Sequence, residues 1–426
     1  MGLVAVGGVW GAAPDITDVS IPNDPMNVGD VVVATITVTS DPNSFSLTSG
    51  DIAGYPVGNL NKNSDTEYTV DFTITDGGTD YAAGDDIPVT DLQLNDGGTL
   101  GNIWNTPISQ GGDPIDANNP AAFTTGAVVT TGGTVVTDYW NGTNTGVEVT
   151  IPIDNDASLD GGTVQLEADA SGGGFAAVGA AENIAAGDLG NSVTASASDT
   201  DIEALGGFGE GDTLTFRAVI TDAAGNSTTG ADSGDTLTVD QTAPAVSSIT
   251  SGTADGAYNE PDNIDVTVNF DENVTLVGGT LDVELDTGVT LNIGAFGPAG
   301  SVTETYTISA GENSGDLTVT SDPLTLSGGT LRDAAGNDAT LAIPGGQNLG
   351  DNANLVIDTT APVGFTTGAV VTTGGTVVAD YWNGTNTGVE VTIPIDNDTS
   401  LDGGTVQLEA DASGGGFAAV GAAENI

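Results

Sequence analysis

The chain has 426 residues, and its 60 Asp and Glu against three Lys and Arg give a formal net charge of −57. A surface this acidic repels nucleic acid and anionic lipid, since phosphate binding depends on Lys and Arg, and no apolar stretch reaches membrane-spanning length. The sequence contains no His and no Cys, which excludes disulfides and the Ser–His and Cys–His nucleophile systems, so we expect no enzyme.

In chain order, the first segment is apolar: residues 1–13 begin MGLVAVGGVWGA. It lacks the basic start of a signal peptide, so we expect an internal segment or a strand, with any export signal outside this chain. Beyond it, β-branched and alternating runs predict an all-β fold, with one short helical turn expected within 174–187. The clearest predicted strands are 31–39 (VVVATITVT), 147–153 (VEVTIPI), 214–221 (LTFRAVIT) and 265–270 (DVTVNF).

A long internal repeat dominates the sequence. Residues 123–184 recur at 365–426 with an offset of 242, and two positions differ: Thr137 against Ala379, and Ala157 against Thr399. Repeats at a fixed period are typical of tandem arrays, which provide length and multivalency. We therefore expect the chain to be a window onto a longer repetitive protein.

Two recurring phrases mark the predicted domain boundaries. A strand ends on Asp and the chain restarts at Pro in IDANNP (115–120), VDQTAP (239–244) and IDTTAP (357–362), which is typical of short, stiff linkers. The turn phrase DAAGN occurs at 222–226 and 333–337. Segments of this length, rich in strands, predict tandem immunoglobulin-like β-sandwiches in an elongated array. The predicted domains are 14–119, 120–243 and 244–361, with 362–426 as the first half of a fourth that repeats 120–184.

Residues 244–361 resemble the bacterial immunoglobulin-like repeats of giant exported surface proteins, of the adhesin or biofilm-associated type. The matching pieces are a TAPxV-type opening, VNFDENV (268–274), SGGTLRDAAGN (327–337) and VIDTTAP (356–362). The resemblance implies an immunoglobulin-like fold, a location at the cell surface or in a secreted matrix, and a stalk role. It identifies no ligand at the tip.

In such a sandwich the chain entry and the B–C and F–G loops share one end, so carboxylates from three segments are expected to converge at each junction. Like charges this close repel unless a cation lies among them. Calcium fits hard oxygen ligands best, whereas zinc prefers Cys and His. We expect calcium to bridge successive domains; the alternative is that these residues only shape solvated turns. The candidate ligands are Asp116, Asp154, Asp156, Asp222 and Asn226, then Asp240, Asp333, Asn337 and, in the expected B–C loop, Asp271 and Glu272, then Asp358, Asp396 and Asp398.

The sequence thus predicts a calcium-stiffened extracellular stalk whose partners are neighbouring repeats of the same chain. One alternative is a self-assembling filament or sheath, in which copies of the chain donate strands to one another. A second alternative is a carbohydrate-binding module that uses the aromatic pairs Tyr139/Trp140 and Tyr381/Trp382, although one such pair per domain is more often part of a core.

Overall fold

The computed structural model describes residues 13–40, 42–109 and 114–426, so the segment 1–13 lies, apart from Ala13, outside the described residues. The described chain is nearly all β, as the sequence predicts. It forms two compact units. One comprises Met1–Thr242 with Ala335–Asn337, and the other comprises Ala243–Ala334 with Asp338–Ile426.

Residues 14–117 fold around their own apolar core. The strands are β1 (Ile16–Ser20), β2 (Met26–Asn27), β3 (Val31–Val38), β4 (Ser46–Ile52), β5 (Tyr55–Pro56), β6 (Gly58–Lys62), β7 (Glu67–Thr73), β8 (Asp86–Ile87), β9 (Val89–Asp96), β10 (Thr99–Leu100), β11 (Ile108–Ser109) and β12 (Ile115–Asp116). Two four-stranded sheets, β1-β3-β7-β6 and β10-β9-β4-β5, supply most of the core. Along β3 every second side chain is buried, which is the period of a strand with one face on the core.

The next region, up to residue 239, contains the first copy of the repeat. Its elements are β13 (Val128–Thr131), β14 (Tyr139–Trp140), β15 (Gly146–Pro152), a 3-10 helix (Ala157–Leu159), β16 (Thr163–Ala170), β17 (Ala176–Ala177), β18 (Glu182–Asn183), β19 (Ser192–Ser198), α1 (Asp199–Glu203), β20 (Thr213–Thr221), β21 (Ser227–Thr229) and β22 (Thr236–Val239). The sheets β13-β15-β19 and β14-β22-β20-β16-β17 contribute to one core around Trp140, Leu166 and Phe216. The helical turn expected within 174–187 is wrong, because that segment forms β17 and β18 on the edge of β16.

The third region, up to residue 358, has a separate core. Its elements are β23 (Val246–Thr250), β24 (Gly256–Tyr258), β25 (Asn263–Val277), β26 (Thr280–Glu284), β27 (Thr290–Ile293), β28 (Phe296–Thr307), β29 (Asn313–Ser314), β30 (Thr325–Ser327), β31 (Thr330–Arg332), α2 (Leu349–Asn352) and β32 (Leu355–Asp358). Its sheets are β23-β25-β28 with β31 attached to β25, β24-β32-β29, and β27-β26-β30. Together they surround Ile264, Leu281 and Leu355.

The second copy of the repeat is less regular than the first. Its elements are β33 (Val370–Thr373), β34 (Gly388–Val391), a 3-10 helix (Thr399–Leu401), β35 (Thr405–Val406), β36 (Glu409–Ala410), β37 (Ala418–Ala419) and β38 (Glu424–Asn425). They pair only as two-stranded sheets. The eight-residue β16 of the first copy corresponds here to two separate two-residue strands.

One pairing recurs in all three complete regions and defines their topology. A short early strand pairs in parallel with the last strand: β2 with β12, β14 with β22, and β24 with β32. The remaining ladders of the main sheets are antiparallel. The chain is therefore a tandem array of immunoglobulin-like β-sandwiches. Because each last strand ends at or next to a linker aspartate, the parallel pairing fixes where that aspartate lies.

Candidate cation site at the first domain junction

The DAAGN turn at 222–226 is built around one buried carboxylate. It joins β20 to β21, and Asp222 Oδ1 accepts hydrogen bonds from the backbone N–H groups of Ala224 (3.0 Å), Gly225 (2.7 Å) and Asn226 (2.8 Å). Gly225 has φ +111°, a conformation that favours glycine. The turn chemistry predicted from the sequence is confirmed, and it leaves Asp222 only 4% exposed.

Asn226 connects this turn to the preceding sandwich, within the first unit. Its Oδ1 accepts a hydrogen bond from the backbone N–H of Val28 (2.9 Å). Its Nδ2 donates to Asp222 Oδ2 (3.1 Å) and, at 3.4 Å, to the main-chain oxygen of Asp116. From the other side, Asn27 Nδ2 donates to the main-chain oxygen of Ala224 (2.8 Å). The two sandwiches are thus joined by directional bonds between a turn and a strand end.

Asp116 lies among other carboxylates at this junction. Burial raises its pKa above the ordinary value, the N–H of Asn118 opposes that shift, and the negative charges of Asp222, Asp80 and Asp156 raise the pKa further. A raised pKa means that the folded chain holds the ionised carboxylate less favourably than water does. Burial and the neighbouring negative charges therefore both disfavour the ionised form of Asp116.

An unsatisfied acceptor lies beside this charge. Asn27 is the register partner of Asp116 in the parallel pair, and its Oδ1 is buried and receives no hydrogen bond from any described residue. A buried oxygen without a donor is costly. A cleft of about 360 Å³ at this junction is lined by Asp80, Asp116 and Asp160 among others. Carboxylates together with an orphan amide oxygen are a donor set that suits a hard divalent cation.

Two members of this group, Asp80 and Asn27, were missed by the sequence reasoning. Asp80 Oδ1 accepts hydrogen bonds from the N–H of Ala117 (2.8 Å) and from Asn118 Nδ2 (2.7 Å), which fixes it against the linker. The run TDGGTDYAAGDD at 75–86 holds several acids, and nothing in it distinguishes Asp80. Asn27 is placed at the junction by its parallel register with Asp116, and the sequence alone does not show that register.

The two remaining candidates of the first junction occupy exposed positions. Asp156 caps the 3-10 helix by accepting from the N–H of Ser158 (2.9 Å), and its charge acts on Asp116. Asp154 accepts from the N–H of Asn155 (2.7 Å), a local turn contact.

The candidates from the second predicted junction fall into both units. In the first unit Asp240 follows β22, and Asn337 Nδ2 donates to its main-chain oxygen (2.9 Å). This bond repeats the one from Asn226 to Asp116. In the second unit, carboxylate oxygens of Glu272 and Asp333 lie within 4.8 Å of each other. Asp333 is 8% exposed and directly follows β31.

The expected B–C loop position of Asp271 and Glu272 is wrong, since both lie within β25. The strand is irregular at this point. In its ladder with β28, Asn269 pairs with Ser301 and the next pair is Val274 with Ala299. Asp271 is held in this position by Ala245, because its N–H donates to the Ala245 oxygen (3.0 Å) and its Oδ1 accepts from the Ala245 N–H (2.7 Å). Its carboxylate therefore anchors the start of its own sandwich.

The candidates of the third junction make local contacts. Asp358 ends β32 and accepts from the N–H of Thr360 (2.9 Å), and Asp396 accepts from the N–H of Asn397 (2.8 Å). Asp398 caps the second 3-10 helix, and hydrogen bonds from the backbone and side chain of Ser400 lower its pKa. The whole set of ligands remains a prediction.

The aromatic pairs are not equivalent in the two copies. Trp140 is completely buried in its core, so it presents no face to a sugar ring, whereas Trp382 is 61% exposed. The core role favoured from the sequence is therefore confirmed for the first copy.

Replacing Asp116 with a neutral residue tests whether its ionised carboxylate destabilises the folded chain. Because its folded pKa lies above the unfolded value of 3.8, its ionised form opposes folding at neutral pH, and this penalty is lost as pH falls through the folded pKa. Without divalent cations at pH 7, we expect Asp116→Asn to raise the free energy of unfolding by about 0.5 kcal/mol, the scale of partly screened charge interactions. Urea denaturation between pH 4 and 7 measures this.

The same substitution in an exposed loop, Asp24→Asn, is the matched control for the change in net charge. An equal rise in the free energy of unfolding in both variants would show that the effect comes from the self-repulsion of the whole acidic chain. A lower free energy of unfolding in Asp116→Asn alone would contradict the prediction that the ionised Asp116 carboxylate opposes folding.

Among the described residues, no helix is long and apolar enough to cross a membrane. The sequence matches no family model and no curated protein. Solved structures that it resembles weakly are titin domains A168–A170 (12% identity, TM-score 0.27, 54% of this chain and 67% of that one) and the titin I9–I11 tandem (11%, 0.20, 76% and 99%). The FN1–FN3 domains of chicken CNTN1 are similar at 9% identity and TM-score 0.22, over 75% of this chain and 99% of that one. Since these TM-scores are low, the fold assignment rests on the strand pairing described above.

Proposed function

We propose that this tandem array is the structural stalk of an extracellular bacterial surface adhesin or biofilm-matrix protein, with calcium bound at domain junctions. The observation that carries the proposal is the first junction, where the charges of Asp222, Asp80 and Asp156 act on the partly buried Asp116, whose register partner Asn27 has an orphan oxygen. Repeated sandwiches provide length, and the junctions determine how firmly successive sandwiches are held.

Calcium is the cation that this junction suits. It takes six to eight oxygen ligands in a flexible shell, which mixed carboxylate, amide and main-chain oxygens supply. Asp116 and Asp80, which line one cleft, would hold the ion, the charges of Asp222 and Asp156 would attract it, and the Asn27 oxygen would be a further donor. The ion would neutralise the charge that raises the pKa of Asp116 and satisfy the Asn27 acceptor. Binding would thereby stabilise the folded junction.

A stalk role is also consistent with the residue types that the chain lacks. A chain with no His and no Cys has few groups for nucleophilic or acid–base catalysis. Its acidity gives strong self-repulsion at low salt, which a cation-rich exterior screens. A cell surface or secreted matrix provides such conditions.

Calcium titration of the whole chain tests the proposal. At a free concentration one hundred times its dissociation constant, calcium is expected to raise the free energy of unfolding by about 2.7 kcal/mol at each site that only the folded state offers. Calorimetric titration gives the stoichiometry, differential scanning calorimetry gives the stabilisation, and small-angle scattering with and without chelator reports bending at the junctions.

Sodium chloride at matched ionic strength is the control for screening, and Asp24→Asn is the control for net charge. The double variant Asp80→Asn/Asp116→Asn is expected to lose the first-junction site. If calcium and matched sodium chloride give the same melting temperature and the same scattering profile, the proposal is wrong and the clusters are solvated turns.

A further inference from the structure

Each of the three complete sandwiches has an asparagine at the same place in its topology. The short early strand that pairs in parallel with the last strand either ends on this residue or directly precedes it, which gives Asn27 with β2, Asn141 with β14 and Asn259 with β24. Asn27 lies opposite the linker aspartate Asp116, and the other two follow the residues opposite Val239 and Ile357, which directly precede the next linker aspartates. We call the three residues the junction asparagines.

The loop after each junction asparagine is closed within its own sandwich. The backbone N–H of Asn27 donates to Asp30 Oδ2 (2.7 Å), that of Asn141 to Asn144 Oδ1 (2.8 Å) and that of Asn259 to Asp262 Oδ2 (3.0 Å). The shared pattern is Asn-x-x-Asp/Asn. Because the capping side chain belongs to the same loop, the loop does not depend on a neighbouring sandwich for its shape.

At the first junction the Asn27 loop and the DAAGN turn of the next sandwich exchange hydrogen bonds in both directions. Asn27 Nδ2 donates to the main-chain oxygen of Ala224 (2.8 Å), and the N–H of Val28 donates to Asn226 Oδ1 (2.9 Å). Asn226 Nδ2 also donates, at 3.4 Å, to the main-chain oxygen of Asp116. Each asparagine amide thus binds main-chain groups of the other sandwich.

The same exchange recurs between Asn141 and the segment 335–337, both of which belong to the first unit. Asn141 Nδ2 donates to the main-chain oxygen of Ala335 (2.8 Å), and the N–H of Gly142 donates to Asn337 Oδ1 (3.3 Å). Asn337 Nδ2 donates to the main-chain oxygen of Asp240 (2.9 Å). The atoms are those of the first set, although the two loops, NVGD and NGTN, share only their first residue.

We propose that the DAAGN turn is a docking element that recognises the Asn-x-x-Asp/Asn loop of a preceding sandwich, and that at the first junction this reciprocal pair of asparagines sets the orientation of the two sandwiches without a cation. An asparagine amide suits the role because it carries donors and an acceptor on one short group. Its targets are main-chain groups, so the loop sequence can vary while the contacts persist. The inference goes beyond the stalk role and does not depend on calcium, since Asn27 docks through its nitrogen and leaves its oxygen unused.

The glycine of the turn is placed for close approach to the loop. A Cβ at Gly225 would lie 3.2 Å from Asn27 Nδ2, and one at Gly336 would lie 2.8 Å from methyl carbons of Thr134 and Val136. Both glycines also have positive φ, +111° and +96°. Glycine is therefore required twice over, once for the shape of the turn and once for its docking.

Burial indicates that the asparagine amides are bound and not merely near their targets. Asn141 is completely buried and Asn226 is 4% exposed. Asn141 Nδ2 donates to the oxygens of Thr134 (2.7 Å) and Ala335 (2.8 Å), and its Oδ1 accepts from the N–H of Thr143 (2.9 Å). Since a buried polar group without a partner is costly, replacing a junction or turn asparagine with an apolar residue should weaken docking.

Hydrogen exchange of the full chain in chelator, followed by NMR, tests whether the bonds act together. The probe is the N–H of Val28, whose acceptor is Asn226 Oδ1. Asn27→Ala removes the neighbouring bond to Ala224 and no other side-chain hydrogen bond among the described residues. It is expected to speed Val28 exchange about fivefold, the effect of one hydrogen bond on the docking equilibrium. Unchanged exchange would show that the bonds are independent contacts and would overturn the proposal.

The two turns provide matched variants for the same probe. Asn226→Ala removes the acceptor of Val28 itself and is expected to speed its exchange about tenfold. Asn337→Ala makes the same change in the other turn and should leave Val28 unchanged. Amides in β3 and β20 should keep their exchange rates in all three variants, which shows that both sandwiches stay folded. Equal acceleration at Val28 by Asn337→Ala would mean that the effect is general, and the proposal would be wrong.

Spin-label distances measure the orientation directly. The chain contains no Cys, so Asp24→Cys/Ser196→Cys places one label at an exposed position of each of the first two sandwiches. In chelator, adding Asn27→Ala/Asn226→Ala to this chain is expected to broaden the distance distribution about twofold, because neighbouring domains move freely unless an interface holds them. An equally narrow distribution in both chains would contradict docking by the asparagines.

Calcium keeps this inference separate from the proposed cation sites. If the labelled chain with both asparagines gives a narrow distribution in chelator, the docking proposal is supported whether or not calcium binds. If that distribution is broad in chelator and narrow only with calcium, the cation sets the orientation and the docking proposal is wrong.

Discussion

Replacing Trp140 with alanine is expected to lower the free energy of unfolding of its sandwich by about 3–5 kcal/mol, the usual cost of removing a large aromatic side chain from a core. Trp140 is completely buried, and its strand pairs with the last strand of the same sandwich. Its indole N–H has no hydrogen-bond partner among the described residues. The loss is therefore one of apolar packing, and Trp140→Phe should recover a large part of it.

The repeat supplies a matched control, because Trp382→Ala makes the same change in nearly the same sequence. Since Trp382 is 61% exposed, its loss should change stability by less than about 0.5 kcal/mol. Hydrogen exchange of the amides in β16 and β20 measures the first effect locally, which avoids assuming two-state unfolding of a multidomain chain. Equal effects of the two substitutions would mean that burial does not distinguish the copies.

The strands were largely predictable from the sequence, because alternation and β-branching determine which face of a strand meets the core. The prediction at 31–39 matches Val31–Val38, and the one at 214–221 matches Thr213–Thr221. The prediction at 265–270 ended too early, since Asn263–Val277 continues through Asp271 and Glu272. Two consecutive acids indicate a loop by composition, and the pairing of Asp271 with Ala245 was not visible in that pattern.

The helix α1 had a sequence signal that was not used. Ser198 and Asp201 form a capping box, in which Ser198 Oγ accepts from the N–H of Asp201 and the Asp201 carboxylate accepts from the N–H of Ser198. The pattern S-x-x-D before Ile202 is the usual start of such a helix. The Gly- and Ala-rich segment 174–187 has no such start, and its residues form strand edges instead.

At the candidate site, the residues found from the sequence were those in repeated phrases. Asp116, Asp222 and Asn226 occur in linker and turn phrases that recur in the next sandwich. Asp80 and Asn27 occur in no such phrase. They lie at the junction because a parallel pair aligns Asn27 with Asp116 and because Asp80 accepts hydrogen bonds from the linker. Both depend on contacts between distant segments, which composition cannot specify.

Replacing Asp222 with alanine is the second substitution with a large expected effect. It removes the acceptor of three backbone N–H groups and of Asn226 Nδ2, in a turn where Asp222 is 4% exposed. Hydrogen bonds to a charged group contribute more than neutral ones, and buried donors left unpaired are costly, so we expect a loss of about 3 kcal/mol in chelator. Asp232→Ala, in an exposed loop of the same sandwich, should have little effect.

The substitution Asp222→Asn distinguishes the role of the Asp222 side chain in the turn from its role in binding a cation. The amide oxygen can still accept from the backbone N–H groups of the turn, whereas the second carboxylate oxygen, which accepts from Asn226, is lost. We therefore expect a loss of about 1 kcal/mol in chelator. In saturating calcium the deficit relative to the unmodified chain should grow, because the amide carries no charge to attract the ion. If the deficit is the same with calcium and with chelator, Asp222 serves the turn alone, and the cation must be held by the linker and strand residues, Asp116, Asp80 and Asn27.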